Sequence, residues 1–310
     1  MPLRTAIACF SGAMIIIIGA ALPSCSGEAE SDSHAPFIFV SGGDGFVDPR
    51  PVTVTGYADH AMEPFITRDG TALFFNSLND GVDTSLHWAS RVSDDEFTYQ
   101  GEIGGVNGTP DHLDAVASMD LTGNFYFTST RSYLADGKTI YTGAYAAGAV
   151  TDLAVQEGDI YLGIPWLVMD AEVSPDGEYL YYSQAYFSVG PVPDASDILV
   201  ARKDGALFNM VPGAASIMEK VNLPGDCLEY APSTSADGLE LFFTRFDPAV
   251  GYPRIYRTTR KSTADPFGTP GRIGAITGFA EAPSLSSDGK ILYYHAKPGA
   301  LHVIMMVTRP

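Results

Sequence analysis

The 310-residue chain carries 37 Asp and Glu against 18 Lys and Arg, a formal net charge of -19, together with 32 Gly and 21 Pro. That balance excludes nucleic acid as a partner, since phosphate recognition needs Lys and Arg gathered on one face. With 45% hydrophobic and 11% aromatic residues there is material for a large core, which excludes a disordered acidic tail or a fibre and leaves a folded, turn-rich protein.

In chain order the first element is a leader. Arg4 precedes an apolar stretch over residues 5–22 that includes four consecutive isoleucines, and Leu22-Pro23-Ser24-Cys25 follows. This is the pattern of a secretory signal, predicted over residues 1–24. Its Leu-x-Ser-Cys ending resembles the lipobox of bacterial lipoproteins. The resemblance implies lipidation at Cys25, contact with a membrane through that anchor alone, and a domain in the bacterial cell envelope, facing the periplasm or held at the outer membrane. An uncleaved anchor is the other reading, because the stretch is nearly long enough to span a bilayer. Residues 25–36, rich in Ser, Glu and Asp, read as a solvated tether, and residues 37–310 as one domain. Only Cys227 lies in that domain. No internal disulfide is available, so stability comes from packing, and this lone thiol reads as buried and inert.

Five segments then repeat one pattern of an acid, a short strand, a glycine turn and an aromatic strand: residues 63–75, 114–127, 170–182, 229–243 and 281–294. Their turn glycines, Gly70, Gly123, Gly177, Gly238 and Gly289, follow one another at steps of 53, 54, 61 and 51 residues. A period of that size marks a repeat architecture. Asp-Gly between β-rich runs predicts a two-residue hairpin with positive φ at its central positions. The adjacent aromatics after it, as in Phe74-Phe75, Tyr181-Tyr182, Phe242-Phe243 and Tyr293-Tyr294, point to opposite faces of a strand. Both faces are then buried, as in a propeller blade pressed between two neighbours and unlike a sandwich with one wet face. Third strands are read at residues 197–202, 254–260 and 301–309, and a fourth at 271–278. The last repeat ends after its third strand, and residues 51–56 offer the missing fourth. The expectation is an all-β, five-bladed β-propeller closed by pairing of N- and C-terminal strands in one blade.

The repeat unit of acid, Pro, Ser, Pro-Asp-Gly, aromatic pair and an Ile-Tyr strand ending in Arg resembles the TolB-type, WD-like propeller repeat of bacterial envelope proteins. Residues 170–182 are the nearest match, and residues 114–127, where Thr122-Gly123 replaces Asp-Gly, the most distant. The resemblance covers residues 46–310 and implies a module that engages an envelope protein or a small ligand. Such folds host binding, scaffolding and catalysis alike, so chemistry has to be sought in particular residues.

In such a ring the segments entering the innermost strands lie at one mouth of the central channel. Glu63, Asp114, Asp170, Glu229 and Glu281 are expected around that mouth, with Glu172 close by. Five carboxylates at one opening repel unless they are offset. Arg131 and Arg245, which follow aromatic strands, offer one offset by pairing with the acid of an adjacent blade. A divalent cation, Ca2+ by its preference for oxygen ligands, offers another, with the five acids as its ligands. His60, His112 and His295 are placed to face the same mouth. Imidazole beside carboxylate suits proton transfer or a transition metal, against the plainer reading of polar surface histidines. Two of the acids would also suffice for glycosidic chemistry, whereas no nucleophile elbow, Walker loop, His-Glu-x-x-His helix or dinucleotide fingerprint occurs. The favoured function is a non-catalytic binding or scaffold propeller acting at an acidic mouth, with a carbohydrate-active hydrolase as the alternative. Two long connections, residues 156–169 and 187–196, bring Tyr161, Trp166, Tyr186 and Phe187, either as an aromatic binding surface or as packing over the channel.

Overall fold

The computed structural model describes residues 44–79, 81, 83–108, 112–190 and 192–310, and the leader, Cys25 and the tether lie outside them. Among the described residues the chain is strand after strand, with two four-residue helices in connections, α1 (Tyr133–Asp136) and α2 (Ala214–Ile217). After β1 (Val47–Pro51) and β2 (Thr53–Thr55) comes a first antiparallel meander of β3 (Met62–Ile66), β4 (Ala72–Asn76), β5 (Leu86–Arg91) and β6 (Glu96–Glu102). The second is β7 (Asp114–Met119), β8 (Asn124–Ser129), β9 (Ile140–Ala146) and β10 (Ala149–Val155). The third is β11 (Trp166–Val173), β12 (Tyr179–Tyr186), β13 (Ala195–Asp204) and β14 (Leu207–Met210). The fourth is β15 (Leu228–Thr234), β16 (Glu240–Phe246), β17 (Pro253–Thr259) and β18 (Gly271–Arg272). The fifth is β19 (Ala280–Leu285), β20 (Ile291–Ala296) and β21 (Val303–Thr308), with β1 paired antiparallel to β21 on its outer side. The first strands of the meanders pack in a cycle, β3 on β7, β7 on β11, β11 on β15, β15 on β19 and β19 on β3.

Period-2 geometry explains why the meanders stack face to face. Phe74 packs with Phe125 and Tyr145 of the second meander, while Phe75 joins Phe97, Tyr293 and Ile304 on the side of the fifth. Tyr181 and Tyr182, Phe242 and Phe243, and Tyr293 and Tyr294 divide in the same way between neighbouring clusters. An apolar layer therefore lies between every adjacent pair, the fifth and first included, and no face is left wet.

Two sequence expectations are corrected. The strand that completes the fifth meander is Val47–Pro51 and not residues 51–56, since Thr53–Thr55 crosses to pair in parallel with β6 of the first. The turns are not two-residue hairpins. Gly70 N–H donates to Thr67 O at 2.8 Å and Thr67 N–H to Ala72 O at 2.9 Å, which encloses a four-residue loop, residues 68–71, in which glycine alone takes positive φ. Arginines ending the third strands clamp these turns: Arg91, Arg260 and Arg309 donate to the carbonyls of Gly70, Gly238 and Gly289 at 3.1, 2.8 and 2.5 Å. Arg260 and Arg309 also reach the neighbouring meander, at the Tyr181 hydroxyl and the Glu240 carboxylate.

Each innermost strand carries a bulge with one non-glycine residue at positive φ: Glu63 at 50°, Val116 at 51°, Asp170 at 52°, Ala231 at 48° and Ala282 at 51°. The bulge turns that residue's N–H out of its own ladder, and a side chain of the preceding meander catches it. The acceptors are Asn76 for Val116, Thr128 for Asp170, Ser183 for Ala231, Thr244 for Ala282 and His295 for Glu63. Replacing fully buried Thr244 by the near-isosteric Val leaves the Ala282 N–H without its acceptor. The expected cost is about 1–3 kcal/mol, read as a lower urea midpoint with unchanged slope.

Candidate functional site

The five acids predicted for one mouth separate into two sets, because they do not occupy equivalent places on the bulge. Asp114 and Glu229 precede the positive-φ residues Val116 and Ala231 by two positions and lie at the strand entrances. Arg131 meets Asp114 at 2.6 Å and Arg245 meets Glu229 at 2.5 Å, each within its own meander and not across to the adjacent one. The guanidiniums stack on Tyr141 and Tyr256, with centroids 5.0 and 4.7 Å away, and donate to the carbonyls of Val106 and Val221. The acids in turn accept from Gly108 N–H at 2.7 Å and Leu223 N–H at 3.4 Å. These two pairs therefore fasten the loops that lead into β7 and β15.

Glu63, Asp170 and Glu281 form the second set, from the first, third and fifth meanders, close enough for their charges to act on one another. Burial pushes the Asp170 carboxyl up to about 7, although Ala231 N–H and Ser183 bond to it. Burial, reinforced by Asp170 and Glu281, raises Glu63 well above the usual carboxylate range, and its Oε2 has no hydrogen-bond partner. Glu281 accepts from the Tyr230 hydroxyl and from His295 Nε2 at 3.0 Å. The Glu63 N–H donates to His295 Nδ1 at 3.1 Å, which fixes the imidazole as the neutral Nε2–H tautomer.

Toward the turn end the axis is crossed by an ion pair. Arg68, on the first turn, lies 3.0 Å from Glu172 of the third meander and donates to Val173 O at 2.8 Å. Both side chains are almost wholly buried, and Glu172 also accepts from Thr234 N–H at 2.7 Å. A small cavity of about 20 Å³, lined by residues of all five innermost strands, among them Glu63, Asp170 and Glu172, lies on the axis. That is room for one water molecule and not for a sugar ring.

Other predicted residues go elsewhere. His60 is partly exposed and bonds to His302 across the first and fifth meanders, Nδ1 to Nδ1 at 3.0 Å. His112 is partly exposed in the connection before β7, beside Gly108. Phe187 is buried with Leu113, Tyr133, Leu167 and Tyr230 in an apolar cluster, so it packs instead of presenting surface, while Trp166 and Tyr186 pair at 5.0 Å. Cys227 is partly exposed, contrary to the buried thiol expected, and burial together with Asp247 and Glu229 raises its pKa. Among the described residues no group of three or more His, Cys, Asp and Glu is placed to hold a metal ion. Of the five acids expected around one cation, Asp114 and Glu229 are held by Arg131 and Arg245, and Glu63, Asp170 and Glu281 stand together. Sequence reasoning missed Arg68, Tyr230, His302 and the four acceptors Asn76, Thr128, Ser183 and Thr244. A signal was present: the residue directly after the aromatic strand core, as in Phe75-Asn76, Phe127-Thr128, Tyr182-Ser183, Phe243-Thr244 and Tyr294-His295, is polar in all five repeats.

No family model and no curated protein matches the chain. Its similarity is to solved structures. A putative TolB from Agrobacterium tumefaciens is 16% identical, with 76% of this chain and 70% of that one covered and a TM-score of 0.44. TolB from Acinetobacter baumannii is also 16% identical at TM-score 0.44, with 81% of this chain but only 54% of that one covered. Bacillus subtilis arabinanase is 13% identical over 81% of this chain and 94% of that one, with a TM-score of 0.53. At such identities the shared property is the fold, and the chain is a β-propeller protein. Its resemblance within that class includes TolB.

Two outcomes follow from the axis. Arg68→Leu strands the buried Glu172 charge and is expected to cost about 3–5 kcal/mol. Adding Glu172→Ser, the residue that Ser118, Ser233 and Ser284 supply at the matching register, is expected to recover most of that loss in urea unfolding. The second outcome concerns Asp170, whose pKa rises from 3.8 to about 7 on folding. The folded state holds this proton more tightly, so the stabilisation is complete below about pH 4 and is lost as pH rises through 7, at up to about 1.4 kcal/mol per pH unit. Asp170→Asn has no proton to lose. Its stability relative to the native chain should rise between about pH 5 and 8 in urea titrations at each pH.

Proposed function

We propose that the chain is a five-bladed propeller, closed by β1 on β21, that works in the cell envelope as a non-catalytic binding or scaffold module. The observation that carries this reading is the burial of the repeat acids: Asp114, Asp170, Glu229 and Glu281 are only 1, 3, 0 and 2% exposed. The acids hold meanders and loops together, which leaves the rims and outer edges for an envelope protein or a small ligand. Five meanders, five turn glycines and a closed cycle of innermost contacts support the blade count. The envelope address rests on the leader and on lipidation at Cys25 implied by Leu22-Pro23-Ser24-Cys25.

One observation favours a hydrolase as the second reading. Glu63 and Asp170 are both held above the ordinary carboxylate range by burial, the condition in which a carboxyl serves as a general acid near neutral pH. Arabino-oligosaccharides, suggested by the arabinanase likeness, separate the two readings in a reducing-sugar assay. The binding reading expects no release above buffer from the native chain. Hydrolysis that falls more than about 100-fold in Asp170→Asn or Glu63→Gln would install the hydrolase in its place.

A further inference from the structure

Four of the five junctions between meanders catch the bulge N–H with a group that does not titrate near neutral pH, namely Asn76, Thr128, Ser183 and Thr244. The fifth, where the end of the chain meets its beginning, uses an imidazole lone pair, His295 Nδ1. A second lone pair works at the same junction. The His302 backbone N–H donates to His60 Nδ1 at 3.2 Å, so that nitrogen is also unprotonated, and the 3.0 Å contact between the two Nδ1 atoms is a donation from His302 to His60. A backbone N–H can only donate, so a proton on either acceptor would set two donors against each other. We propose that this junction is an acid-released clasp: proton uptake at His60 and His295 removes the two lone pairs that hold β3 and its leading segment to β20 and β21, while the other four junctions stay shut.

The surroundings fit a clasp that opens in acid. His60 is partly exposed and gives protons a way in, whereas His295 and His302 are 1% and 7% exposed. The rings of His295 and His302 lie 5.6 Å apart, and Phe279 packs against both at 5.9 and 5.8 Å. Cations on neighbouring rings repel, and Lys297 in the connection before β21 adds to that; burial together with these groups holds His302 down at about 3. The opposing groups are Glu281 of β19, whose carboxylate already takes the His295 Nε2 proton and the Tyr230 hydroxyl, and Glu63 of β3, with Asp170 of β11 beyond it. Asp59 accepts the His60 N–H at 2.7 Å, Tyr57 donates to His60 O at 2.9 Å, and the Tyr57 ring packs on Phe75 and Tyr99 at 5.0 and 5.1 Å, so the segment before β3 is anchored to the first meander and moves with it. The sign follows from the two lone pairs: the closed form leaves no place for a proton on His60 Nδ1 or His295 Nδ1 and the open form does, so acid favours the open form. The inference goes beyond the proposed function and holds whether the axis binds or hydrolyses.

Hydrogen exchange read by mass spectrometry at about pH 7.5 and about pH 5, corrected for intrinsic rates, tests it on the purified protein. The peptides carrying Glu63 and His302 should lose at least about tenfold in protection at the lower pH, while those carrying Val116, Asp170, Ala231 and Ala282 keep theirs. His60→Asn with His295→Asn replaces both lone pairs by amide oxygens, as Asn76 already provides at the first junction, and should shrink the difference to the remainder that His302 contributes. Equal protection at all five junctions in the native chain at both pH values overturns the proposal, even if the double variant does not fold. An acid response of undiminished size in a folded double variant overturns it as well.

Discussion

The ring depends on a strained residue in each innermost strand. A non-glycine residue at positive φ costs free energy and interrupts the ladder of its own strand. The same distortion aims an amide out of the sheet, where a side chain from the meander before it is waiting. Apolar layers between meanders supply most of the driving force, but that attraction is non-directional. The directed bond at Val116, Asp170, Ala231, Ala282 and Glu63 fixes how far each meander is advanced relative to the last. Placement of every axial side chain follows from that register.

Charge is handled by the same geometry. Where the acid stands two residues before the bulge, as Asp114 and Glu229 do, it points to the loops and finds an arginine from its own meander. Where it stands at the bulge or just before it, as Glu63, Asp170 and Glu281 do, it turns to the axis. There protonation, a tyrosine and a histidine take over the offset. A displacement of one or two positions in an otherwise repeated segment thus decides between an ion pair and a carboxyl that keeps its proton.

The fold was legible because its determinants are periodic. Glycines at a nearly constant step and adjacent aromatics that divide between two neighbouring layers report the architecture without reference to distant residues. The site was less so. Aligning Glu63 with Asp114 and Glu229 by their common acidity hid the one- and two-residue offsets, which become visible only once Val116, Ala231 and Ala282 are seen to hold the bulge. Arg68 was invisible for a different reason: it sits on a turn beside residues chosen for turn geometry, and its partner Glu172 is about a hundred positions away. The acceptors after the aromatic strands were in plain sight, yet Asn, Thr, Ser and His share no feature except a hydrogen-bond acceptor.

Below the first ring of bonds runs a second, in which the Val173, Thr234, Leu285 and Ile66 amides are caught by Ser118, Glu172, Ser233 and Ser284 of the meander before. At the corresponding register of the first meander stands Phe65, which packs with Phe74, Phe125 and Phe127 and has no acceptor to offer. At this level the contact between the first and second meanders therefore rests on apolar packing alone. Apolar association weakens on cooling, whereas a hydrogen bond between buried groups does so far less. Chilling and warming therefore do not act evenly around the molecule: at this level the boundary that Phe65 guards has only apolar contacts to lose in the cold.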